Sequence, residues 1–225
     1  MSEMCKRQPQ GADKPLRNTC GLDLRSIYEQ NQASIAMISD AEKGGTAFKV
    51  CPQTDKCVWV TANHVVAGEN SKNWSLETSD GKKYSFKIVD RDPKNDLAVL
   101  YSEGNSKSTP EQPGVQMLPK LDLVHKGDPI VGVGYAKLLK HLTLSPGTVD
   151  SPNFKTPRNN EFYKDNMLCL STGTKSIGGQ SGGPAFDKLG RVIGVVSNGE
   201  DAQTCYTPHK KVDEFIERVM KKLPN

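Results

Sequence analysis

Short apolar or alternating runs recur at close intervals along this 225-residue chain, and they constrain its fold more than any other feature. ASIAMI, GTAFKV, CVWVTA, YSFKIV, LAVLY, PIVGVGYA, LTL, MLCLS, GPAF and VIGVVS follow one another between stretches of Gly, Pro, Asp, Asn and Ser. Runs of this length between turn residues read as β-strands, and their regular spacing predicts a mostly β chain built as barrels or sandwiches. TSDGKK at 78–83 supplies the Asp-Gly of a hairpin turn, and FDKLGRV at 186–192 offers a second.

Residues 102–114, SEGNSKSTPEQPG, are polar and have almost nothing to bury, so they read as a linker between two sets of strands. The expected organisation is an extension over 1–24, a first barrel with its linker over 25–114, a second barrel over 115–206 and a terminal helix over 207–225. In that last segment Val212, Phe215, Ile216, Val219 and Leu223 form one helical stripe. Thr207 is the expected cap and Pro208 the expected first helical residue. LRSIYEQNQ reads as a short helix ahead of the first strand.

A balance of 30 basic against 26 acidic side chains is too slight and too dispersed to predict a nucleic-acid or membrane surface. No apolar run reaches the length of a membrane span. The first twenty residues lack the apolar centre of an intact signal peptide, so the expectation is either an exported protein whose signal has been removed or a cytosolic one. Six cysteines favour export to the periplasm or beyond, with Cys5–Cys20, Cys51–Cys57 and Cys169–Cys205 as candidate disulfides; six buried thiols are the alternative. Neither a C-x-x-C pair nor an H-E-x-x-H helix points to a metal, and no cofactor is expected.

The segment SIGGQSGGPAF, residues 176–186, sets Ser181 among glycines. It satisfies the G-x-S-x-G pattern of a nucleophile elbow, but Gly182, Gly183 and Pro184 cannot continue the helix that an elbow requires. Partners for the hydroxyl lie upstream instead. TANHVV places His64 where a strand ends, and NDLAVL places Asp96 at the mouth of an apolar strand. The order His64, Asp96, Ser181 is one of the orders in which a serine triad occurs. His125, His141 and His209 have no such company and read as surface residues.

TANHVV, NDLAVL and GGQSGGPAF together resemble the catalytic blocks of the chymotrypsin-like serine peptidases, most of all the bacterial trypsin-like branch that includes the HtrA (Deg) peptidase domain. The resemblance covers roughly residues 25–205. It implies two six-stranded antiparallel β-barrels followed by a C-terminal helix. Ser181 would be the nucleophile, His64 the base and Asp96 its orienting carboxylate, with the N–H groups of Gly179 and Ser181 as the oxyanion hole. It also implies that Ser197 and Gly199 pair with the substrate main chain, and that Lys175, Ser176 and Val196 bear on the pocket for the residue before the cut. A small or aliphatic residue suits Ser176 and Val196, whereas Lys175 either favours an acidic residue or points to solvent.

The implied activity is that of an endopeptidase acting on protein or peptide substrates as a monomer. A binding protein on the same fold and a serine esterase are the alternatives. Zymogen-activated members carry an aspartate before the nucleophile; this chain has Gln180, which cannot form an ion pair with a new N-terminus, so activity without N-terminal cleavage is expected. No PDZ-like module is expected after the terminal helix.

Overall fold

The computed structural model describes residues 23–39, 44–53, 55–67, 74–136, 141–155, 168–172, 176–200 and 203–223. Helix α1 (Leu24–Asn31) starts where the Asp23 carboxylate accepts the N–H of Ser26 at 3.0 Å, and it buries Ile27. Strands β1 (Ile35–Ser39), β2 (Gly44–Gln53), β3 (Lys56–Thr61), β4 (Ser75–Thr78), β5 (Lys83–Tyr84), β6 (Lys87–Asp92) and β7 (Leu97–Tyr101) form one antiparallel sheet in the order β5-β4-β1-β2-β3-β7-β6.

That sheet begins and ends with strands that are neighbours in sequence. Only Ser85 and Phe86 separate β5 from β6, so three Cα steps of 3.8 Å bring the two edges within about 11 Å. The sheet therefore curls most of the way into a barrel, although no pairing closes it among the described residues. The difference from six closed strands has a local cause, because β5 is two residues long and offers little ladder to β6.

The second set is β8 (Gln116–Met117), β9 (Pro129–Tyr135), β10 (Leu142–Lys155), β11 (Leu168–Thr172), β12 (Pro184–Phe186), β13 (Arg191–Glu200) and β14 (Gln203–Pro208). Six of these close a barrel in the order β12-β9-β10-β11-β14-β13, with β13 returning to β12. The short β8 adds to β13 in parallel. Both predicted hairpin turns are present: Gly81 and Gly190 take the positive φ values, 79° and 74°, that these turns need.

Strand β3 shows why several runs read as continuously apolar. Trp59 points into the core of the first sheet with Ile38, Leu76 and Leu100, while Val58 and Val60 face a larger cluster shared with the second half and the terminal helix. Successive side chains alternate faces, and here both faces are buried. Helix α2 (His209–Met220) buries Val212, Phe215, Ile216 and Val219 in that shared cluster, and Leu223 packs against it. Each such side chain contributes roughly 1.5–3 kcal/mol when fully buried. Arg218 lies 3.7 Å from both Asp90 and Asp92, and Lys222 Nζ lies 2.6 Å from Asp90 Oδ2, so α2 is also tied by charge to β6.

Two expectations about this region are corrected. The helix begins at His209 with Pro208 as its cap position, and Thr207 makes no cap, because β14 pairs with β13 through Pro208 and the Thr207 hydroxyl is engaged elsewhere. His209 is 2% exposed, since it falls three residues before Val212 in the same buried stripe. Burial keeps its imidazole below the usual histidine range, and the nearby Lys210 adds to this.

The polar segment 102–114 lies on the first sheet. Lys49 on β2 is fully buried, and its Nζ donates to Asn105 Oδ1 and to the carbonyl of Lys107, both at 2.6 Å. That burial pushes the ammonium down to about 8. Cys51 and Cys57 form a disulfide across the β2–β3 turn. Cys205 is disulfide-bonded as well, on β14 opposite Ser171 of β11, the strand that carries Cys169. The Cys169 side chain and both Cys5 and Cys20 lie outside the described residues.

Candidate active site

Strand β3 ends at Thr61, and the chain passes through Ala62 into a single 3-10 turn over Asn63–Val65 that carries His64. Asp96 stands one residue before β7 with φ of 52°, a left-handed conformation that Asp tolerates better than most residues. Its carbonyl accepts the N–H of Asn63 at 3.1 Å, which anchors the histidine turn to the start of β7.

Asp96 is 3% exposed, and its carboxylate is held by hydrogen bonds from both halves. Oδ1 accepts the backbone N–H of His64 at 2.9 Å, and Oδ2 lies 2.8 Å from His64 Nδ1. Ser197 on β13 donates its hydroxyl to the same Oδ2. A proton on Nδ1 facing this carboxylate makes Nε2 the basic nitrogen of the neutral ring. The second barrel thus supplies one of the groups that hold the first half's carboxylate.

Ser181 sits in the loop before β12, partly exposed. Its carbonyl accepts the N–H of Thr46 on β2 at 2.8 Å. Next to it, Gly182 donates to the carbonyl of Val196 at 2.7 Å, and the N–H of Val196 donates to Gly183 at 2.8 Å. Gly182 has φ of 84°, and a methyl group there would lie 2.2 Å from Thr61 Oγ1, 2.3 Å from the Thr46 carbonyl and 2.8 Å from Ala62 N. The glycines beside Ser181 are therefore needed for the close approach of the two halves. That approach brings the Ser181 loop against the strand end that leads to His64.

Ile177 to Gln180 form a turn closed by Gln180 N–H to the Ile177 carbonyl at 3.0 Å, with Gly179 in the third position at φ 101°. Positive φ at that position makes it a type II turn. The Gly179 carbonyl accepts from Thr46 Oγ1 at 2.8 Å.

The other expected site residues fall as follows. Ser176 donates its N–H to Thr204 Oγ1 at 2.7 Å. Val196 is buried in a cluster with Leu118, Ile130, Ile193 and Tyr206 while its backbone holds Gly182 and Gly183. Gly199 is on β13, paired with Thr204. Lys175 lies outside the described residues. Sequence reading missed Thr46, whose type and spacing mark nothing, and it missed the bond from Ser197 to Asp96.

The trypsin-like peptidase domain matches residues 45–195 of this chain, a span that runs from the Thr46 strand through His64, Asp96 and Ser181 to β13. The chain belongs to that family. This trypsin-like peptidase domain is 29% identical over 141 residues to the periplasmic serine endoprotease DegP of Escherichia coli K12, an alignment covering 63% of this chain and 27% of DegP. It is 31% identical over 156 residues to a probable periplasmic DegP-like endoprotease of Chlamydia pneumoniae, covering 67% of this chain and 28% of that protein. The chain thus spans little more than a quarter of the length of these relatives. Among solved structures, an inactive form of Rv3671c from Mycobacterium tuberculosis H37Rv superposes with a TM-score of 0.68 at 22% identity, covering 88% of this chain and 92% of that one. The serine endoprotease of Yersinia pestis gives 0.68 at 17% identity, covering 88% and 66%. These superpositions bear on the fold, which is chymotrypsin-like.

Proposed function

We propose that this domain is a serine endopeptidase that works through an acyl-enzyme on Ser181. The observation that carries this reading is the Asp96 carboxylate, buried and held on His64 through both the ring Nδ1 and the backbone N–H. A hydroxyl is a weak nucleophile at neutral pH and needs a base. His64 Nε2 takes the Ser181 proton as Oγ attacks the scissile carbonyl, and Asp96 stabilises the imidazolium that forms. The N–H groups of Gly179 and Ser181 receive the oxyanion, and His64 returns the proton to the leaving amine. Water then attacks the acyl-enzyme by the same route, regenerating Ser181 and releasing the acid.

Ser197 steadies Asp96 in this scheme, which is a different task from pairing with substrate. Its main chain on β13, with that of Gly199, remains the proposed partner of the substrate backbone. The Cys51–Cys57 disulfide and the periplasmic DegP relatives support a periplasmic or secreted location.

The test is covalent. A fluorophosphonate probe is expected to add to Ser181, located by peptide mass, with no adduct in Ser181→Ala and a much slower one in His64→Ala. An unlabelled Ser181 in the folded wild type, or labelling as fast without His64, overturns the proposal. Hydrolysis of fluorescein-labelled casein separates a peptidase from an esterase that acts on esters alone.

A further inference from the structure

We propose that Gln180 is a positioning residue that holds the 177–180 turn in the form that presents the Gly179 N–H; this rests on the acyl-transfer reading above. Gln180 is fully buried although it adjoins the partly exposed Ser181. Its side-chain oxygen accepts the N–H of Ile177 at 2.9 Å and the Ser145 hydroxyl at 3.1 Å. Its side-chain nitrogen donates to Thr143 Oγ1 at 2.9 Å and to the Thr143 carbonyl at 3.3 Å. A primary amide has two donor hydrogens and two acceptor directions, and all four are in use. Reversing the amide would set its NH2 against the Ile177 N–H, so the orientation is fixed by the chemistry of its neighbours.

These bonds act on the turn. Type I and type II turns differ by rotation of the central peptide, here the one joining Gly178 and Gly179. Ile177 N–H is held by the Gln180 side chain, the Ile177 carbonyl by Gln180 N–H, and the Gly179 carbonyl by Thr46 Oγ1. The peptides on both sides of the central one are therefore fixed, and the central one follows from the positive φ of Gly179. Without Gln180, the Ile177 amide loses its tie and the turn can relax, carrying the Gly179 N–H away from where the oxyanion forms. Gly134 lets Gln180 seat on β9, since a methyl there would lie 2.8 Å from Gln180 Cα. A neutral amide achieves all this without an ion pair, so the turn needs no newly cut N-terminus.

The test follows the rate of Ser181 phosphonylation over a range of fluorophosphonate concentrations, separating the maximal rate from half-saturation. Q180M keeps length and loses all four bonds. Its maximal rate is expected to fall about ten-fold or more with half-saturation nearly unchanged, because the oxyanion donor acts in the transition state. Q180E keeps the acceptors but needs a proton to donate to Thr143, so its rate relative to wild type is expected to rise as pH falls from 8 to 5. T143V removes one partner and is expected to slow the maximal rate by a smaller factor while circular dichroism stays native. T143V serves also if Q180M does not fold. Maximal rates equal to wild type in T143V and in whichever Gln180 variant folds, or a Q180E ratio flat with pH, overturn the proposal. A wild type that does not label defeats the acyl-transfer reading itself, which is a separate result.

Discussion

Thr207 donates its hydroxyl hydrogen to the main-chain oxygen of Asn95 at 2.8 Å, so the second barrel holds the residue immediately before Asp96. Asn95 is held from the other side by Asp92, whose carboxylate accepts both its N–H at 3.2 Å and its side-chain amide at 2.9 Å. A left-handed Asp96 is kept in place by neighbours that are themselves restrained.

Thr207→Val keeps the shape and takes the donor of the buried Thr207 from the partly buried Asn95 carbonyl. A hydrogen bond of this kind contributes about 0.5–1.5 kcal/mol. Urea unfolding is expected to show a loss in this range, with Thr207→Ser close to wild type.

Ser197→Ala removes one hydrogen bond from a buried carboxylate. Bonds to charged groups contribute about 1.5–3 kcal/mol, and 1.36 kcal/mol is a factor of ten in rate. Casein hydrolysis is expected to drop by about ten- to hundred-fold in kcat. An unchanged kcat in a folded variant would remove Ser197 from the scheme.

Gly182→Ala introduces a methyl at the seam between the halves, within 2.3 Å of two oxygens and at positive φ. The backbone conformation alone costs roughly 1–2 kcal/mol. With the collision added, a loss of about 3 kcal/mol or more in urea unfolding is expected, together with loss of Ser181 labelling, whereas Gly81→Ala meets nothing within 4 Å and loses only the backbone term.

Asp213 on α2 gives a pH dependence. Burial, aided by Glu217 and Glu214 and opposed by Lys120, pushes its carboxyl up to about 6. Between pH 4 and 6 the folded state then holds a proton that the unfolded state has released, so Asp213 makes stability fall as pH rises through that window. Asp213→Asn is expected to remove this slope, with its advantage over wild type growing from pH 4 to 6 and constant above. Urea midpoints across pH 4 to 7 check it. Asp80, held near 2 by Lys82 and Thr78, acts below this window and in the opposite direction.

The strands, and the pairing of His64 with Asp96 at strand ends, were legible in the sequence because their signals are local. VIGVVS and LAVLY marked β13 and β7 as buried strands, and Asp96 and His64 stood at strand ends. Strand β14 was missed, because its buried residues include Thr204 and Thr207 and a polar strand gives no hydropathy signal. Lys49 sat in GTAFKV where alternation suggests a solvent-facing position; its burial depends on acceptors 56 and 58 residues away. The same holds for Thr46 and Gln180, whose partners lie in other segments. Spacing within one segment cannot encode such meetings.

Helix α2 has its own implication for assembly. It is synthesised after both barrels, yet it grips β6 of the first through Arg218 and Lys222 and shares an apolar cluster with both. Until that grip forms, a nascent molecule has its halves joined by the rest of the shared cluster and by the bonds that Thr46, Ser197 and Thr207 make across the seam, without the charge ties to β6. Mutual rigidity of the two halves would then grow with the latching of this helix, the last of the described elements to be translated.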